Sequence, residues 1–483
     1  MKIPSSPLSE AELYARIQAY RAHDLNAHGG RTWAYVYDSG RPDVAEVARA
    51  AYMMFLDENA LDPTVFPSLL QMENEVVAMS AHHLNGGPDV VGNFTSGGTE
   101  SCMLAVKTAR DFARATRPHI QRPELILPVT AHAAFHKAAH YLDVVPVLVP
   151  VDPVTYKADV EAVRQAITPN TILIVGSAVS YAHGVIDPIE ALAALAQSHD
   201  LLFHVDGCIG GFLLPYFRRL GAPVPPFDFS VPGVTSISMD LHKYAYAPKG
   251  ASVVLYRNKE LRQHQLFACA RWTGYTIINS TIQSTKSGGP VAAAWATLQY
   301  MGDQGYLEIA ERTLKATRLL LEGIQSIPGL QVLGTPESSL IAFASDELDV
   351  FELADVMRQK QWYVQPQLGH MGSKPNIHLS VTAASLERVE TLLHDLREAV
   401  DVVRQGAESG ASGPELGAAL QQLDLANLPP EAFQGLLALA GIQNGRLPER
   451  LAGINRLLNL LSPEMNEHLL KVFVNQLFTA RGE

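Results

Sequence analysis

The sequence predicts an α/β protein built on a large, mostly parallel sheet, followed by a smaller α+β domain and a helical C-terminal extension. Between about residues 100 and 260, apolar segments typical of strands alternate with amphipathic segments typical of helices. Strands that are apolar throughout are buried on both faces, so helices are expected on both sides of the sheet. The predicted strands are ELILPVT (124–130), VVPVLVPVD (144–152), TILIVGSAV (171–179), LLFHVDG (201–207), TSISMD (235–240) and ASVVLYR (251–257).

The domain limits follow from changes in this pattern. Residues 1–60 predict an N-terminal helical segment, which begins with charged residues and lacks the apolar core of a secretory signal. The large domain then extends over 61–304, and shorter strands predict a small α+β domain over 305–403. Residues 404–417 are rich in Gly and Ser and predict a linker. Apolar residues at helical spacing predict helices in the extension, 418–483.

The composition indicates a globular protein of 483 residues, 47% of them hydrophobic, with a sizeable core. Its formal net charge of -12 argues against a nucleic-acid-binding surface, which needs clustered Lys and Arg. Cys102, Cys208 and Cys269 are widely spaced, which predicts reduced thiols. We find no segment long enough to span a membrane, so a cytoplasmic location without a transmembrane anchor is expected.

The segment NFTSGGTES (93–101) places two glycines and several hydroxyl residues directly before an amphipathic helix. Backbone N–H groups at the start of a helix, together with the helix dipole, stabilise a phosphate. A simple capping turn is the alternative, because Thr-x-x-Glu sequences are common at helix starts and no nucleotide-binding fingerprint is present. Glu100 would oppose a highly charged ligand such as a triphosphate.

Asp206 and Lys243 each follow a predicted strand. Because ligands of such sheets bind at the carboxyl ends of the strands, both residues are candidates for a binding site. A buried carboxylate needs a partner, and a desolvated lysine becomes nucleophilic and forms Schiff bases. Taken singly, Asp206 is also explained as a turn residue, and Lys243 as a lysine whose amine reaches solvent.

One cofactor needs all three features. Pyridoxal phosphate requires a cradle for its phosphate, an acid that keeps its ring nitrogen protonated and a lysine for its aldehyde. The three features occur here in the chain order of the fold type I pyridoxal-phosphate enzymes, the group related to aspartate aminotransferase. The sequence resembles this group, and the resemblance implies its α/β fold and its cofactor.

Longer motifs resemble those of the sphingosine-1-phosphate lyase family, a member of the group II pyridoxal-phosphate decarboxylase superfamily. They span about residues 35 to 400 and include VFPSLLQMENEVV, LNGGPDVVGNFTSGGTES, TAHAAFHKAAH, GVIDPIEALAALA, HVDGCIGGF and SISMDLHKYAYAPKG. The resemblance implies a carbon–carbon lyase that cleaves a phosphorylated long-chain amino alcohol to a fatty aldehyde and phosphoethanolamine. It also implies a homodimer.

The resemblance implies roles for individual residues as well. Lys243 is the Schiff-base lysine, Asp206 is the partner of the ring nitrogen, and His132 stacks on the ring. The residues implied near the cofactor phosphate are Gly98, Thr99 and His242, with Gly288 and Gly289 of STKSGG (284–289) reaching a neighbouring subunit's cofactor. The implied substrate-binding residues are Tyr37, His132, His183 and Lys249, of which Lys249, Tyr37 and His132 surround the substrate's phosphate.

Several alternatives stay open. Lys249 also fits a residue that only ties down its own loop, and Lys243, Lys249 or a histidine is a candidate for the catalytic base. His132, His136 and His140 recur every four residues, a spacing that can bind a metal. No carboxylate or cysteine cluster accompanies these histidines, so we predict no metal site and place His136 and His140 on the surface.

The sequence departs from the family pattern at three places. Gly207 stands where the lyases usually have alanine, ENALDP (58–63) replaces a segment like SNPLHP, and Lys286 replaces an arginine and loses its fork geometry. Residues after about 400 lie outside the resemblance. Because these departures concern the substrate, an amino-acid decarboxylase is the alternative function. A cofactor-binding protein whose C-terminal helices recognise a partner is a third.

Overall fold

The computed structural model describes residues 2–408 and 448–479 of the chain. The strands in these ranges are β1 (Val91–Thr95), β2 (Glu124–Pro128), β3 (Val145–Val149), β4 (Thr171–Ser177), β5 (Leu202–Asp206), β6 (Ser236–Met239), β7 (Ser252–Tyr256), β8 (Phe267–Cys269), β9 (Ile277–Asn279), β10 (Gln331–Val332), β11 (Leu340–Ala344), β12 (Gln365–Gln367) and β13 (Asn376–Ser380). The helices are α1 (Glu10–Tyr20), α2 (Pro42–Met54), α3 (Pro67–His83), α4 (Gly98–Thr116), α5 (Ala133–Leu142), α6 (Val160–Ala166), α7 (Ile189–Ser198), α8 (Gly210–Arg219), α9 (Lys259–Arg262), α10 (Gly288–Gln325), α11 (Val350–Gln359), α12 (Val389–Glu408), α13 (Ala452–Leu460) and α14 (Pro463–Leu477).

The large sheet has seven strands in the order β1-β7-β6-β5-β4-β2-β3. Strands β2 to β6 pair in parallel, while β7 runs antiparallel to both of its neighbours. The predicted mostly parallel sheet is therefore confirmed, and all six predicted strands are present in it. The seventh strand, β1, was not predicted because VGNFT mixes polar and apolar residues. It leads directly into the predicted phosphate turn.

The small domain is a four-stranded antiparallel sheet in the order β10-β11-β13-β12, with α11 and α12 packed on it. The N-terminal segment contributes to this unit. Trp33 is buried in its core, donates its backbone N–H to the Tyr363 carbonyl and accepts a hydrogen bond from the Ser380 N–H. Residues from the first 60 positions are thus part of the small domain's core.

Helix α10 crosses the predicted boundary between residues 304 and 305. A break at Gly302, which has a φ of 58°, separates its two parts. Tyr306 and Ile309 still pack in the large core, whereas Leu320 and Ile324 pack in the small one. One helix therefore serves both domains.

The predicted linker over 404–417 is corrected at its start, because α12 continues to residue 408. The amphipathic pattern of this helix outweighs the Gly and Ser that follow it. Residues 409–417 of that linker, and 418–447 of the predicted helical extension, lie outside the described residues. The two helices predicted near the C-terminus are present as α13 and α14. In the described ranges, no helix combines the length and apolar character needed to cross a bilayer.

Candidate active site at the carboxyl ends of the strands

The ends of β5 and β6 bring two carboxylates and a lysine together. Asp206 is the last residue of β5, and Asp240 directly follows β6. Lys243 lies in the next turn, with its Nζ 2.9 Å from Asp240 Oδ2. Both carboxylates are buried. We call Asp206, Asp240 and Lys243, together with Gly98 and Cys208, the strand-end cluster.

The N-terminus of α4 packs directly on this cluster. A Cβ atom on Gly98, the first residue of α4, would lie 2.6 Å from Asp240 Oδ2 and 3.0 Å from Cys208 Sγ, so a larger residue would displace them. The first N–H groups of a helix have no partners within it, and with the helix dipole they favour an anion. Thr99 is exposed at this end. The predicted phosphate turn therefore adjoins the predicted lysine.

His242 faces the same turn. Its Nδ1 accepts a hydrogen bond from the Ala251 N–H at 3.2 Å, and its Nε2 lies 3.7 Å from Asp240 Oδ2. A Cβ atom on Gly97 would be 3.4 Å from the His242 ring. Burial lowers the pKa of His242, although the Asp240 carboxylate raises it. His242 therefore lies next to this turn, and its contact with a cofactor phosphate stays a prediction.

Asp206 is held in place by hydrogen bonds. Its Oδ1 accepts from the Cys208 N–H at 3.1 Å and from the Ser238 hydroxyl at 3.4 Å. The ligand atoms of Cys102, Asp206 and Cys208 lie within 4.8 Å of one another, a group that the sequence did not reveal and that could hold a metal. The contact with Cys102, and burial, raise the pKa of the Cys208 thiol well above its usual value.

Asp240 stabilises the charge of Lys243. Burial by itself would lower the pKa of Lys243, but the Asp240 carboxylate outweighs this effect and holds that pKa well above its usual value. Burial would likewise raise the pKa of Asp240, which the Lys243 and His242 charges lower instead. Lys243 is therefore a cation here and must lose a proton before its amine forms a covalent bond. Sequence analysis missed Asp240, although its three-residue spacing from Lys243 was visible.

Four aromatic side chains, which we call the tyrosine wall, lie beside the cluster: Tyr35, Tyr37, Tyr181 and Tyr363. Gln365 joins two of them, since it accepts a hydrogen bond from the Tyr181 hydroxyl at 2.5 Å and donates one to the Tyr35 hydroxyl at 2.9 Å. Burial raises the pKa of Tyr37 and of Tyr181, and the Lys243 charge acts on both. These phenols are therefore neutral and close to Lys243.

Lys249 meets the tyrosine wall. Its Nζ lies 4.9 Å from the centre of the Tyr37 ring and donates a hydrogen bond to the Tyr35 carbonyl at 3.1 Å. Burial of the amine, followed by the Lys243 charge, lowers the pKa of Lys249, although part of the side chain is exposed. An aromatic face and a backbone oxygen hold this ammonium. The Lys249 ammonium has further N–H donors that can bind an anion.

His132 lies at the start of α5, where its Nδ1 accepts a hydrogen bond from the Ala134 N–H at 3.1 Å. Its ring is edge-on to Tyr181, with centres 6.3 Å apart. The structure therefore brings His132 to the tyrosine wall. His136 and His140 are exposed, as the sequence predicted.

His183 is buried and follows Tyr181 by two positions in the sequence. It lines the same cavity as His132. Its ring stacks on Tyr156 with centres 3.9 Å apart, and its Nε2 is 3.0 Å from Ser373 Oγ. His183 is thus placed close to the site, with its ring stacked on Tyr156 and both ring nitrogens buried or hydrogen-bonded.

Gly288 and Gly289 pack, within this chain, against the N-terminal segment. The Gly288 N–H donates to the Glu58 carbonyl at 2.9 Å, and a Cβ atom on Gly289 would lie 2.8 Å from the ring of a tyrosine in α2. Lys286 is buried, with its Nζ 2.5 Å from Glu73 Oε2. The contact of the two glycines with a neighbouring subunit's cofactor stays a prediction.

Glu100, in the first turn of α4, is buried and bonded to backbone groups. Its carboxylate accepts hydrogen bonds from the backbone N–H groups of Ser96, Ile282 and Gln283, at 2.7, 2.8 and 3.3 Å. These hydrogen bonds tie the segment before α10 to the first turn of α4. Sequence reasoning missed this role because the partners are distant backbone groups.

The described residues fit pyridoxal phosphate. The turn at Gly98 presents the N-terminus of α4, Asp206 presents a buried carboxylate, and Lys243 presents an amine. These features match the phosphate, the ring nitrogen and the aldehyde of the cofactor.

Comparison with known proteins agrees with this fit. The pyridoxal-dependent decarboxylase conserved domain matches residues 53–345. A second model, for a C-terminal domain of pyridoxal-dependent enzymes, matches residues 414–476, in the part of the chain that the sequence resemblance did not reach.

Relatives narrow the family further. The sphingosine-1-phosphate lyase of Oryza sativa subsp. japonica is 42% identical over 428 residues, 86% of this chain and 78% of that protein. The sphingosine-1-phosphate lyase of Arabidopsis thaliana is 46% identical over 377 residues, 76% of this chain and 68% of that protein. A solved sphingosine-1-phosphate lyase from Burkholderia pseudomallei matches with a TM-score of 0.79 at 36% identity, covering 89% of this chain and 98% of that one. The chain therefore belongs to the sphingosine-1-phosphate lyase family and is a lyase that depends on pyridoxal phosphate.

Proposed function

We propose that this enzyme cleaves a phosphorylated long-chain amino alcohol of the sphingosine-1-phosphate type into a fatty aldehyde and phosphoethanolamine. The relatives named above carry this activity in their names. One observation in this chain supports it most directly, namely the second lysine of the site. An amino-acid decarboxylase, the alternative, has no substrate phosphate for such a lysine to bind.

The strand-end cluster would hold the cofactor. Lys243 would bond to its aldehyde, Asp206 would pair with its ring nitrogen, and His132 would lie on its ring. Gly98 and Thr99, at the start of α4, would bind its phosphate together with His242. The cofactor supplies an electron sink for the bond that breaks. Asp240 would pair with the Lys243 ammonium whenever Lys243 is not bonded to the cofactor.

Lys249 would bind the substrate's phosphate. Its ammonium is oriented by the Tyr37 ring and the Tyr35 carbonyl, and no carboxylate within residues 2–408 and 448–479 forms an ion pair with it. A phosphate binds a point cation of this kind well. The lowered pKa of Lys249 also makes it a candidate base for the substrate's hydroxyl proton. A variant at Lys249 distinguishes this role from phosphate binding.

A product assay tests this function. The purified enzyme is given a phosphorylated sphingoid base and, separately, a panel of amino acids, while phosphoethanolamine and carbon dioxide are measured. We expect phosphoethanolamine from the first and no carbon dioxide from the second. Carbon dioxide from an amino acid, with the phosphorylated base left intact, would make the enzyme a decarboxylase.

We also propose a homodimer in the cytoplasm. Large apolar side chains on and beside the β8–β9 hairpin are exposed in the single chain, which fits burial against a second copy. They are Phe267, Trp272, Tyr275, Ile278 and Ile282. Three free cysteines fit a reducing compartment. Sedimentation of the active enzyme as a monomer would contradict the dimer.

A further inference from the structure

A cavity of about 360 Å³ opens beside His132 and Tyr181 and is lined largely by apolar side chains. Its apolar lining includes Val151, Pro153, Ala182, Leu368 and Met371. The cavity adjoins the site, because His132 and Tyr181 border both. It lies apart from the Lys249 side chain, which does not line it. An apolar cavity next to a charged cofactor site fits a ligand that is polar at one end and aliphatic at the other.

One polar group of the cavity, the imidazole of His183, is buried. His183 is only 1% exposed, and burial lowers its pKa to about 4, so its imidazole is neutral near pH 7. Its Nε2 is engaged by Ser373, while its Nδ1 has no hydrogen-bond partner among the described residues. The cavity therefore combines an apolar wall with a neutral imidazole and several other polar side chains, among them Thr130, Gln367 and His370.

The C-terminal extension supports one wall of this cavity. Asn459 of α13 accepts a hydrogen bond from the Gly369 N–H at 2.7 Å. Gly369 begins the loop over 369–373, which contributes Met371 to the cavity and Ser373 to His183. A continuous series of contacts thus connects α13 to His183.

Helix α13 is itself fixed to the small domain. Asp355 of α11 accepts hydrogen bonds from the N–H groups of Leu451 and Ala452, both at 2.9 Å, and so caps the start of α13. Arg456 of α13 pairs with Asp349 and Glu352 at the start of α11. The extension therefore holds the loop from a fixed position.

We propose that this cavity binds the aliphatic chain of the substrate, and that Asn459 is a positioning residue that holds its wall through Gly369. The proposal rests on the proposed function for the identity of the substrate. It assigns the phosphate end to Lys249 and the chain end to the cavity, on two sides of the strand-end cluster. It also gives α13 a part in substrate selection.

Narrowing the cavity tests the proposal. Val151→Phe places a ring in the cavity, and Val154→Phe is the matched control, since Val154 is three residues away, exposed and outside the lining. The kcat/KM of the holoenzyme is measured for a long-chain and a short-chain phosphorylated amino alcohol. We expect Val151→Phe to lower the long-chain value about tenfold or more relative to the short-chain value, because each buried methylene adds severalfold to binding. Val154→Phe should leave the ratio unchanged. Equal loss on both substrates, or no loss, would overturn the proposal.

The support from α13 is tested by Asn459→Ala and Asn459→Asp. The alanine removes the acceptor for the Gly369 N–H, so KM for the long-chain substrate should rise severalfold with kcat nearly unchanged. The aspartate keeps an acceptor oxygen and should restore KM. An unchanged KM in the alanine variant would remove Asn459 from this role.

A binding measurement separates this proposal from the proposed function. A fluorescent polyene fatty alcohol is titrated into the holoenzyme, which requires no turnover. Binding that Val151→Phe weakens and Val154→Phe does not would support the cavity even if the phosphorylated substrate is not cleaved. Binding that neither variant changes would overturn the cavity assignment, whatever the product assay gives.

Discussion

The strand-end cluster and the tyrosine wall lie side by side but stabilise charge in opposite ways. In the cluster, the Lys243 ammonium is matched by the buried Asp240 carboxylate at 2.9 Å. In the wall, burial raises the pKa of Tyr37 and of Tyr181, so both phenols are neutral, and the Lys249 ammonium meets an aromatic face and a backbone oxygen. A buried charge needs a partner, and a partly exposed one does not. The Lys243 charge is therefore paired without substrate, whereas the Lys249 charge beside the wall is available to an incoming anion.

The largest effect is expected from breaking the cluster at Lys243. Lys243→Arg keeps a cation beside Asp240 but has no amine that bonds to an aldehyde, so turnover should fall to background while the fold is retained. The measurements are phosphoethanolamine release and the absorbance of the bound cofactor. Lys315→Ala, at an exposed lysine of α10, is the control and should behave as the wild type. Turnover near the wild-type rate in Lys243→Arg would exclude the covalent role.

A change at Lys249, which contacts the tyrosine wall, should have a smaller effect on activity that depends more on the substrate. Lys249→Ala should weaken the binding of a phosphorylated substrate, since the phosphate loses its cationic partner, by less than the loss of a fully buried charge pair would because Lys249 is exposed. An unphosphorylated analogue should be nearly unaffected, and cofactor loading should be normal. Equal loss of kcat on both substrates, with KM unchanged, would identify Lys249 as the base instead.

The same lysine predicts a pH dependence. Because the pKa of Lys249 is lowered, its ammonium is lost at a lower pH than for an ordinary lysine, and KM for the phosphorylated substrate should rise as pH increases through that value. Lys249→Arg keeps its charge in this range, so its KM should stay flat. Parallel alkaline profiles for both proteins would place the titration elsewhere.

The smallest effect on activity, but a clear effect on stability, is expected at Asp240. Asp240→Asn leaves Lys243 without its partner, and removal of one partner of a buried pair costs roughly 3–5 kcal/mol. Asp303→Asn is the control, because the pair of Asp303 with Arg219 is on the surface, where such pairs contribute roughly 0–1 kcal/mol. Denaturant midpoints of the cofactor-free proteins at neutral pH measure both.

The sign of the pH effect at Asp240 can be stated as well. The folded pKa of Asp240 is lowered from 3.8 and that of Lys243 is raised above 10.5, so the pair stabilises the fold throughout neutral pH. The contribution is lost as the pH falls through the folded pKa of Asp240. The stability difference between wild type and Asp240→Asn should therefore shrink in acid, and a difference that grows there would contradict the pairing.

The sequence by itself determined the large sheet and the residues at its edge. Continuous apolar runs identified six strands, and the carboxyl ends of two of them located Asp206 and Lys243, because strand order along a parallel sheet brings such ends to one edge. The glycines before α4 were likewise visible, since a helix start that accepts a phosphate has a recognisable local pattern. These features depend on neighbours in the chain.

Only the tertiary structure decided the partners that are distant in sequence. Glu100 bonds to backbone groups more than 180 positions away, and Asn459 supports Gly369 from another domain, so no local pattern marks either contact. Asp240 is close to Lys243 in the chain, yet its role depends on burial, which sets the pKa of both groups. Local periodicity encodes which elements form, whereas burial and long-range contacts fix the charge state and position of the side chains that use them.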